Sequence, residues 1–441
     1  MADKLSRLEA ILAAYSDPQS LLTLRGRISE ASPSHFQIVG LSQHANIGDL
    51  VSIETRSQVE NAEVVQIDKG SVLAIPFQRQ SRVNLGDRVT LLGRPSLRPH
   101  PSWLGRVIDP LGQPVDDLGS LQCGASEIFL DRDPPRAMDR NRIQSPLRTG
   151  VKAIDIFTPL CSGQRVGIFA GSGVGKSTLL SMLSAIPDAT TVVLALVGER
   201  GREVREFLED VLGHRRERVI AVVATGDDNP AIRRLAPKAA MTIAEYFREC
   251  GENVLLMIDS ITRFAHAQRE CALAGGEPPV ARGYPPSVFS EIARLLERAG
   301  PGPRGQGNVT ALVTVLVDGD NHNDPIADAA RGILDGHIVL DRKIASQGRW
   351  PAIDVLASLS RLAPKAQSAE ESKIADIARA LIARFEDTRD LRLIGGYQAG
   401  TDAELDKAVA FTPLAYELLR QRPEDGLQPD GLAQMAKLIR C

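Results

Sequence analysis

The residues Val166-Gly-Ile-Phe-Ala-Gly-Ser-Gly-Val-Gly-Lys-Ser-Thr-Leu-Leu180 read as an apolar strand, a glycine-rich loop and the start of a helix. Gly171, Gly173 and Gly175 permit backbone angles that turn the N–H groups of the loop, including those of Ser172 and Val174, toward phosphate oxygens. A helix opening near Lys176, Ser177 and Thr178 adds the positive end of its dipole. An ammonium at Lys176 reaches β- and γ-phosphates, and the Ser177 hydroxyl is a magnesium ligand. This is chemistry for ATP with Mg²⁺. The motif ordinarily opens on glycine; Ala170 stands there instead, and a small residue suffices at a strand exit.

Two carboxylates are placed to complete a hydrolytic site. The run Asn253-Val-Leu-Leu-Met-Ile-Asp259 is a hydrophobic strand ending in a carboxylate, which holds Mg²⁺ directly or through water in such enzymes; a helix N-cap is the plainer alternative. Val192–Val197 leads into Gly198-Glu199-Arg200-Gly201-Arg202-Glu203. Strand ends of a parallel sheet face the ligand crevice, so Glu199 is a candidate to polarise an attacking water; from composition alone a solvated charge cluster is the plainer alternative. Arg202, Glu203, Arg205 and Glu206 read as a solvated helix face.

The elements that must position these groups follow from periodicity. Strand-like runs at Val166–Ala170, Thr191–Val197, Val219–Ala224, Val254–Ile258 and Thr310–Val317 are mostly separated by helical stretches. That alternation predicts an α/β fold with a parallel sheet covered on both faces. Before it, residues 21–95 carry short runs at Phe36–Val39, Leu50–Ile53, Ala62–Ile67, Ser71–Ile75 and Arg88–Leu92, the signature of a small β-barrel. Pro95, Pro99 and Pro101 mark the boundary. Residues 1–20 hold a helix with Leu5, Leu8, Ile11, Leu12 and Tyr15 on one stripe, ended at Asp17-Pro18. The stripe suits packing on its own domain or docking a partner. The ATPase domain is expected over 96–366 and a helical domain over 367–441. In the latter Ile374, Ile377, Leu381 and Phe385 share a face, and a helix over 402–421 is interrupted near Pro413.

Composition narrows the class. The 441 residues carry a net charge of −3 and 4% aromatics, which argues against nucleic-acid binding by a basic or stacking surface. No apolar run is long enough to span a bilayer and no signal peptide is evident, so membrane association is expected to be peripheral, through partners. Five cysteines without a CxxC pair fit reduced thiols in a cytoplasmic protein.

Seven blocks together resemble the rotary ATP synthase α/β superfamily, most closely its flagellar type III export ATPases. They are Leu104-Gly-Arg-Val-Ile-Asp-Pro-Leu-Gly112, the phosphate loop, Gly198-Glu-Arg-Gly-Arg-Glu-Val204, Asp259-Ser-Ile-Thr-Arg-Phe264, Gly283-Tyr-Pro-Pro-Ser-Val-Phe289, Asp335-Gly-His-Ile-Val-Leu340 and Pro351-Ala-Ile-Asp-Val-Leu-Ala-Ser-Leu-Ser-Arg361. The resemblance covers about residues 20–420. It implies a small β-barrel, a RecA-like domain and C-terminal helices, assembled as a homo-hexamer with nucleotide between neighbours. Glu199 matches the family's catalytic glutamate, and Arg200 is placed near the γ-phosphate. Arg361 matches the arginine a neighbour inserts at the γ-phosphate. Trp350 stands where relatives often carry an adenine-stacking tyrosine.

The implied activity is that of a Mg-dependent ATPase driving flagellar protein export at the inner membrane. Its implied partners are a stator-like regulator at the N-terminal helix, a central coiled-coil stalk protein, the export gate, chaperones and export substrates. The same residues leave open the ATPase of a virulence-type injectisome, a rotary ATP synthase catalytic subunit, a nucleic-acid-translocating RecA-like hexamer and an inactive ring component.

Overall fold

The computed structural model describes residues 23–211, 213–317, 324–426 and 431–440. The expected helix over 1–20, with its stripe Leu5, Leu8, Ile11 and Leu12, lies outside the described residues. The chain forms two compact units.

The first unit is built from strands β1 (Arg25–Ala31), β2 (Phe36–Val39), β3 (Leu50–Glu54), β4 (Val59–Ile67), β5 (Ser71–Pro76) and β6 (Arg88–Gly93), and along β1, β2 and β3 buried positions alternate with more exposed ones. Such strands have one face to bury, and closing the sheet on itself buries it without leaving an edge. They form a closed barrel in the order β1-β2-β5-β4-β3-β6. Ile28, Phe36, Ile38, Val51, Ile53, Val64 and Val72 fill it. The turns entering β3 and β6 are built alike: Asp49 accepts from the Asn46 N–H at 2.7 Å and Asp87 from the Asn84 N–H at 2.7 Å. Residues Asp228–Ile232 and Ala267–Pro285 also belong to this unit.

The second unit is built on β7 (Val107–Ile108), β8 (Arg165–Ala170), β9 (Thr191–Glu199), β10 (Val219–Thr225), β11 (Asn253–Asp259), β12 (Asn308–Leu316), β13 (Gly336–Leu340) and β14 (Ile353–Ser360). Their order is β14-β13-β8-β12-β11-β9-β10-β7. All neighbours are parallel except β14, which runs antiparallel to β13 at the edge. A short strand, Gly300–Pro301, also runs antiparallel to β12. Val192–Val197 is buried at every position, which is why its sequence is continuously apolar: both faces are covered.

Helices Ala369–Asp387, Ala403–Leu419 and Gly431–Arg440 lie in the same unit. They contribute Ala375, Ala378, Ile382, Phe411, Ala415, Leu419 and Met435 to the core that holds β8 and β9. The buried stripe of the first helix is thus shifted from the expected one: Ile377 is 38% exposed, while Ala375, Ala378 and Ile382 are buried. Small alanines allow close helix approach, which a reading of large apolar residues does not register. Nor does Pro413 interrupt its helix, which is continuous over Ala403–Leu419. Buried Phe411, Thr412 and Ala415 on either side of it offset the lost backbone bond with tertiary packing.

A buried ion pair fastens the helix side of this unit. Arg298 and Glu245 are both 2% exposed at their side chains and pair at 2.7 Å. The remaining guanidinium protons go to Leu130 O at 2.6 Å and Thr242 Oγ1 at 3.0 Å. Arg298→Met is expected to cost about 3–5 kcal/mol, because it strands Glu245 without its main counter-charge. Urea unfolding measures this, and a loss below about 1 kcal/mol contradicts it. Of the four described cysteines, none in a disulfide, Cys161 and Cys271 are buried and Cys123 and Cys250 exposed. Among the described residues no helix is long and apolar enough to cross a membrane.

Candidate active site

The chain leaves β8 at Ala170, loops through the glycines and enters a helix over Lys176–Ser184. Two positions there require glycine. Gly173 and Gly175 have φ of +76° and +84°, a region side chains avoid. At Gly175 a Cβ would also stand 2.6 Å from the Trp350 ring. The phosphate loop thus backs directly onto that indole.

Lys176 faces the ends of two neighbouring strands. Its ammonium lies 2.5 Å from Asp259 Oδ1, at the end of β11, and 3.3 Å from Glu199 Oε1, at the end of β9. Two further side chains complete the cluster. Arg263, in the helix Ile261–Ala274 that follows β11, pairs with Glu199 Oε2 at 3.0 Å and donates to Gly198 O. Thr314, fully buried in β12, donates to Asp259 Oδ1 at 2.7 Å. Two cations and two carboxylates therefore balance at the mouth of the sheet. Burial pushes the Glu199 carboxyl above the ordinary glutamate range; Lys176 opposes this, Asp259 reinforces it and Arg263 opposes it. A carboxylate poised upward is a better proton acceptor than a free one.

Around this cluster lies a cavity of about 810 Å³. Gly171, Ser172, Gly173, Gly175, Lys176, Ser177, Thr178, Glu199, Arg263 and Trp350 line it, together with Gln421, Arg422, Pro423 and Glu424 from beyond the helix Ala403–Leu419. Val174 is buried beneath the loop. The oxygen ligands here suit magnesium: Ser177, in the first turn of the helix, offers an exposed hydroxyl and Asp259, at the end of β11, a carboxylate. Mg²⁺ takes few protein oxygens and leaves the rest of its shell to phosphate and water.

Besides the buried Val174, two expected site residues neither line this cavity nor join the Lys176–Glu199–Asp259 cluster. Arg200 is exposed, stands at the N-cap position of the short helix Gly201–Glu206 without a side-chain capping bond, and pairs with Glu203 at 3.4 Å. Arg361 is exposed just after β14 and donates to Arg331 O at 3.2 Å. Sequence reasoning passed over Arg263, Thr314 and the Gln421–Glu424 segment. Arg263 carried a signal, standing one helical turn after a strand-end aspartate. Thr314 is a polar residue inside an apolar strand. Gln421 carried none.

The nucleotide-binding domain model of the ATP synthase alpha/beta family matches residues 150–360. The model of the T3SS EscN ATPase C-terminal domain matches residues 367–436. The flagellum-specific ATP synthase of Agrobacterium fabrum is 51% identical over 440 residues, spanning 100% of this chain and 93% of that protein. Among solved structures, the assembled ATPase EscN of the enteropathogenic E. coli type III secretion system superposes with a TM-score of 0.88 at 41% identity, over 94% of this chain and 100% of that one. EscN in complex with its central stalk EscO gives a TM-score of 0.86 at 40% identity, again over 94% and 100%.

Proposed function

The chain belongs to the ATP synthase alpha/beta family and is an ATPase of that family, and from that premise we propose that it hydrolyses Mg-ATP to drive flagellar type III protein export. The observation that carries the chemistry is the Lys176 ammonium set between the strand-end carboxylates Glu199 and Asp259. The flagellar assignment is supported by 51% identity across the whole chain to a flagellum-specific relative, against 46% over 88% of the chain to a secretion-system ATPase.

ATP enters with its phosphates on the N–H groups of residues 171–178. The β- and γ-phosphates draw the Lys176 ammonium and free Glu199 from it. Mg²⁺, held by Ser177 and Asp259, neutralises phosphate charge when bound. Glu199, kept in place by Arg263, orients the attacking water and accepts its proton. Trp350 forms a wall of the nucleotide site beside Gly175. Arg200 reaches the γ-phosphate side only by leaving Glu203. Arg361, exposed and outside its own cavity, serves the site of the adjoining subunit, so the unit of activity is a homo-hexamer.

The structural likeness to EscN with its central stalk EscO supports a central coiled-coil stalk partner here. A stator-like regulator binds the N-terminal residues, and chaperones, export substrates and the export gate complete the assembly. The ring works in the cytoplasm, peripherally at the inner-membrane export apparatus. The match of the C-terminal residues to the EscN-type domain favours a virulence-type injectisome as the second reading.

Flagellar filaments counted in a deletion strain test the proposal. Filaments should vanish on deletion, return with the wild-type gene and stay absent with Lys176→Ala, which removes the phosphate-binding ammonium. Filaments that persist without the gene end the flagellar assignment and leave the injectisome leading. Filaments restored by Lys176→Ala overturn the requirement for hydrolysis.

A further inference from the structure

Gln421 sits in the polar run Arg420-Gln-Arg-Pro-Glu-Asp425, just past a helix end, yet it is only 4% exposed. Its amide is used at both ends. Nε2 donates to Gly150 O at 2.7 Å and Gly426 O at 3.1 Å, and Oε1 accepts from the Lys152 N–H at 3.1 Å. Its own backbone N–H donates to Trp350 O at 2.8 Å. Two neighbouring contacts join the same elements: Arg420 donates to Gly348 O at 3.0 Å and Lys152 Nζ to Leu418 O at 3.2 Å.

One buried residue therefore joins three parts of the unit. These are the turn before the helix Lys152–Phe157, the strap that carries Trp350, and the end of the helix Ala403–Leu419. Trp350 in turn lies against Gly175, and Gln421 lines the same cavity as the phosphate loop. A buried amide in this setting is not replaceable by an apolar side chain, since two carbonyls and one N–H would lose their partners.

We infer that Gln421 is a positioning residue for the nucleotide: its buried amide, tied to Gly150, Gly426 and Lys152, fixes the backbone whose N–H holds Trp350 O, and so seats Trp350 against the phosphate loop. The inference rests on the ATPase reading above. Gln421 touches none of Lys176, Glu199 or Asp259, so it acts on the wall of the site and not on the reacting atoms. An interaction of that kind is made equally in the ground and transition states, and its loss raises KM without lowering kcat.

The experiment compares wild type, Gln421→Leu, Trp350→Ala and the double variant. Steady-state hydrolysis gives KM and kcat, and titration calorimetry with ADP gives an affinity independent of turnover. Gln421→Leu should raise KM for ATP and Kd for ADP roughly tenfold, with kcat within about twofold. In the double variant the two effects on ADP affinity should fall well short of additive, because one acts through the other. Unchanged KM and Kd in a Gln421→Leu protein that melts like wild type overturn the inference. So do additive effects in the double variant, or equal falls in kcat and kcat/KM. Should Gln421→Leu not fold, Gln421→Glu carries the test: it keeps the acceptor for Lys152 and sets a carboxylate against the Gly150 and Gly426 carbonyls. A wild-type protein that binds ADP but never hydrolyses ATP would defeat the ATPase reading, while the ADP titrations would still decide the role of Gln421.

Discussion

Glu199→Gln protein should bind Mg-ATP at least as well as wild type and turn it over about 10²–10⁴-fold more slowly, the range that a positioned general base contributes. The amide has the shape of the carboxylate and fits a site where residue 199 is 8% exposed. What it loses is the capacity to accept a proton from water. It also removes one negative charge from a cluster in which Lys176 and Arg263 balance Glu199 and Asp259. The variant site is therefore more positive, which favours the triphosphate. Steady-state phosphate release and equilibrium ATP binding separate the two effects, and near-normal turnover removes Glu199 from its role. The pH profile adds a sign. Burial raises the Glu199 carboxyl above the ordinary glutamate range, and only the ionised form accepts a proton. As pH falls, kcat/KM of the wild type should therefore begin to drop at a higher pH than an unperturbed glutamate would give. The Gln variant should lack that acid limb.

What the sequence disclosed and what it hid divide along a physical line. The phosphate loop was legible because its requirements are local: glycine at the positive-φ positions, an ammonium and a hydroxyl at the start of a helix. Asp259 and, once the family resemblance was added, Glu199 were legible because a parallel sheet delivers its strand ends to one crevice, so an acid closing an apolar run is informative by position. The barrel was legible from several short strand-like runs at close spacing. The Trp350 contact with Gly175 was not, since it joins residues far apart in sequence. Gln421 was hidden more deeply. Its polar neighbourhood reads as solvated loop, and only the folded chain shows that its amide is spent on Gly150 and Lys152. Pro413 was misread for the opposite reason: a strong local signal for a helix break yields here to packing on both sides of the proline.

Arg361→Ala should leave ATP binding by the isolated subunit intact and lower hydrolysis in the assembled ring by about 10³–10⁵-fold, as for an arginine that stabilises the transferring phosphoryl group from across an interface. The base of this residue is firmly set. Its backbone N–H donates to Asp335 O at 2.9 Å, and the Asp335 carboxylate is gripped by Arg165 at 3.1 and 3.2 Å. Its guanidinium, in contrast, stands exposed, donates to Arg331 O and does not line the cavity of its own chain. A residue so mounted suits a neighbour better than itself. Mixing decides the matter. Rings of Arg361→Ala alone lack every finger, and rings of Glu199→Gln alone lack every base. In an equal random mixture, about one interface in four pairs an intact Glu199 with an intact Arg361 from the adjoining subunit, because a head-to-tail ring uses two different surfaces at each contact. Activity should therefore reappear on mixing, and activity per subunit should rise with protein concentration as rings form. No recovery in rings verified to contain both variants would assign Arg361 to its own chain, and an activity independent of concentration in dissociated subunits would do the same for the whole site.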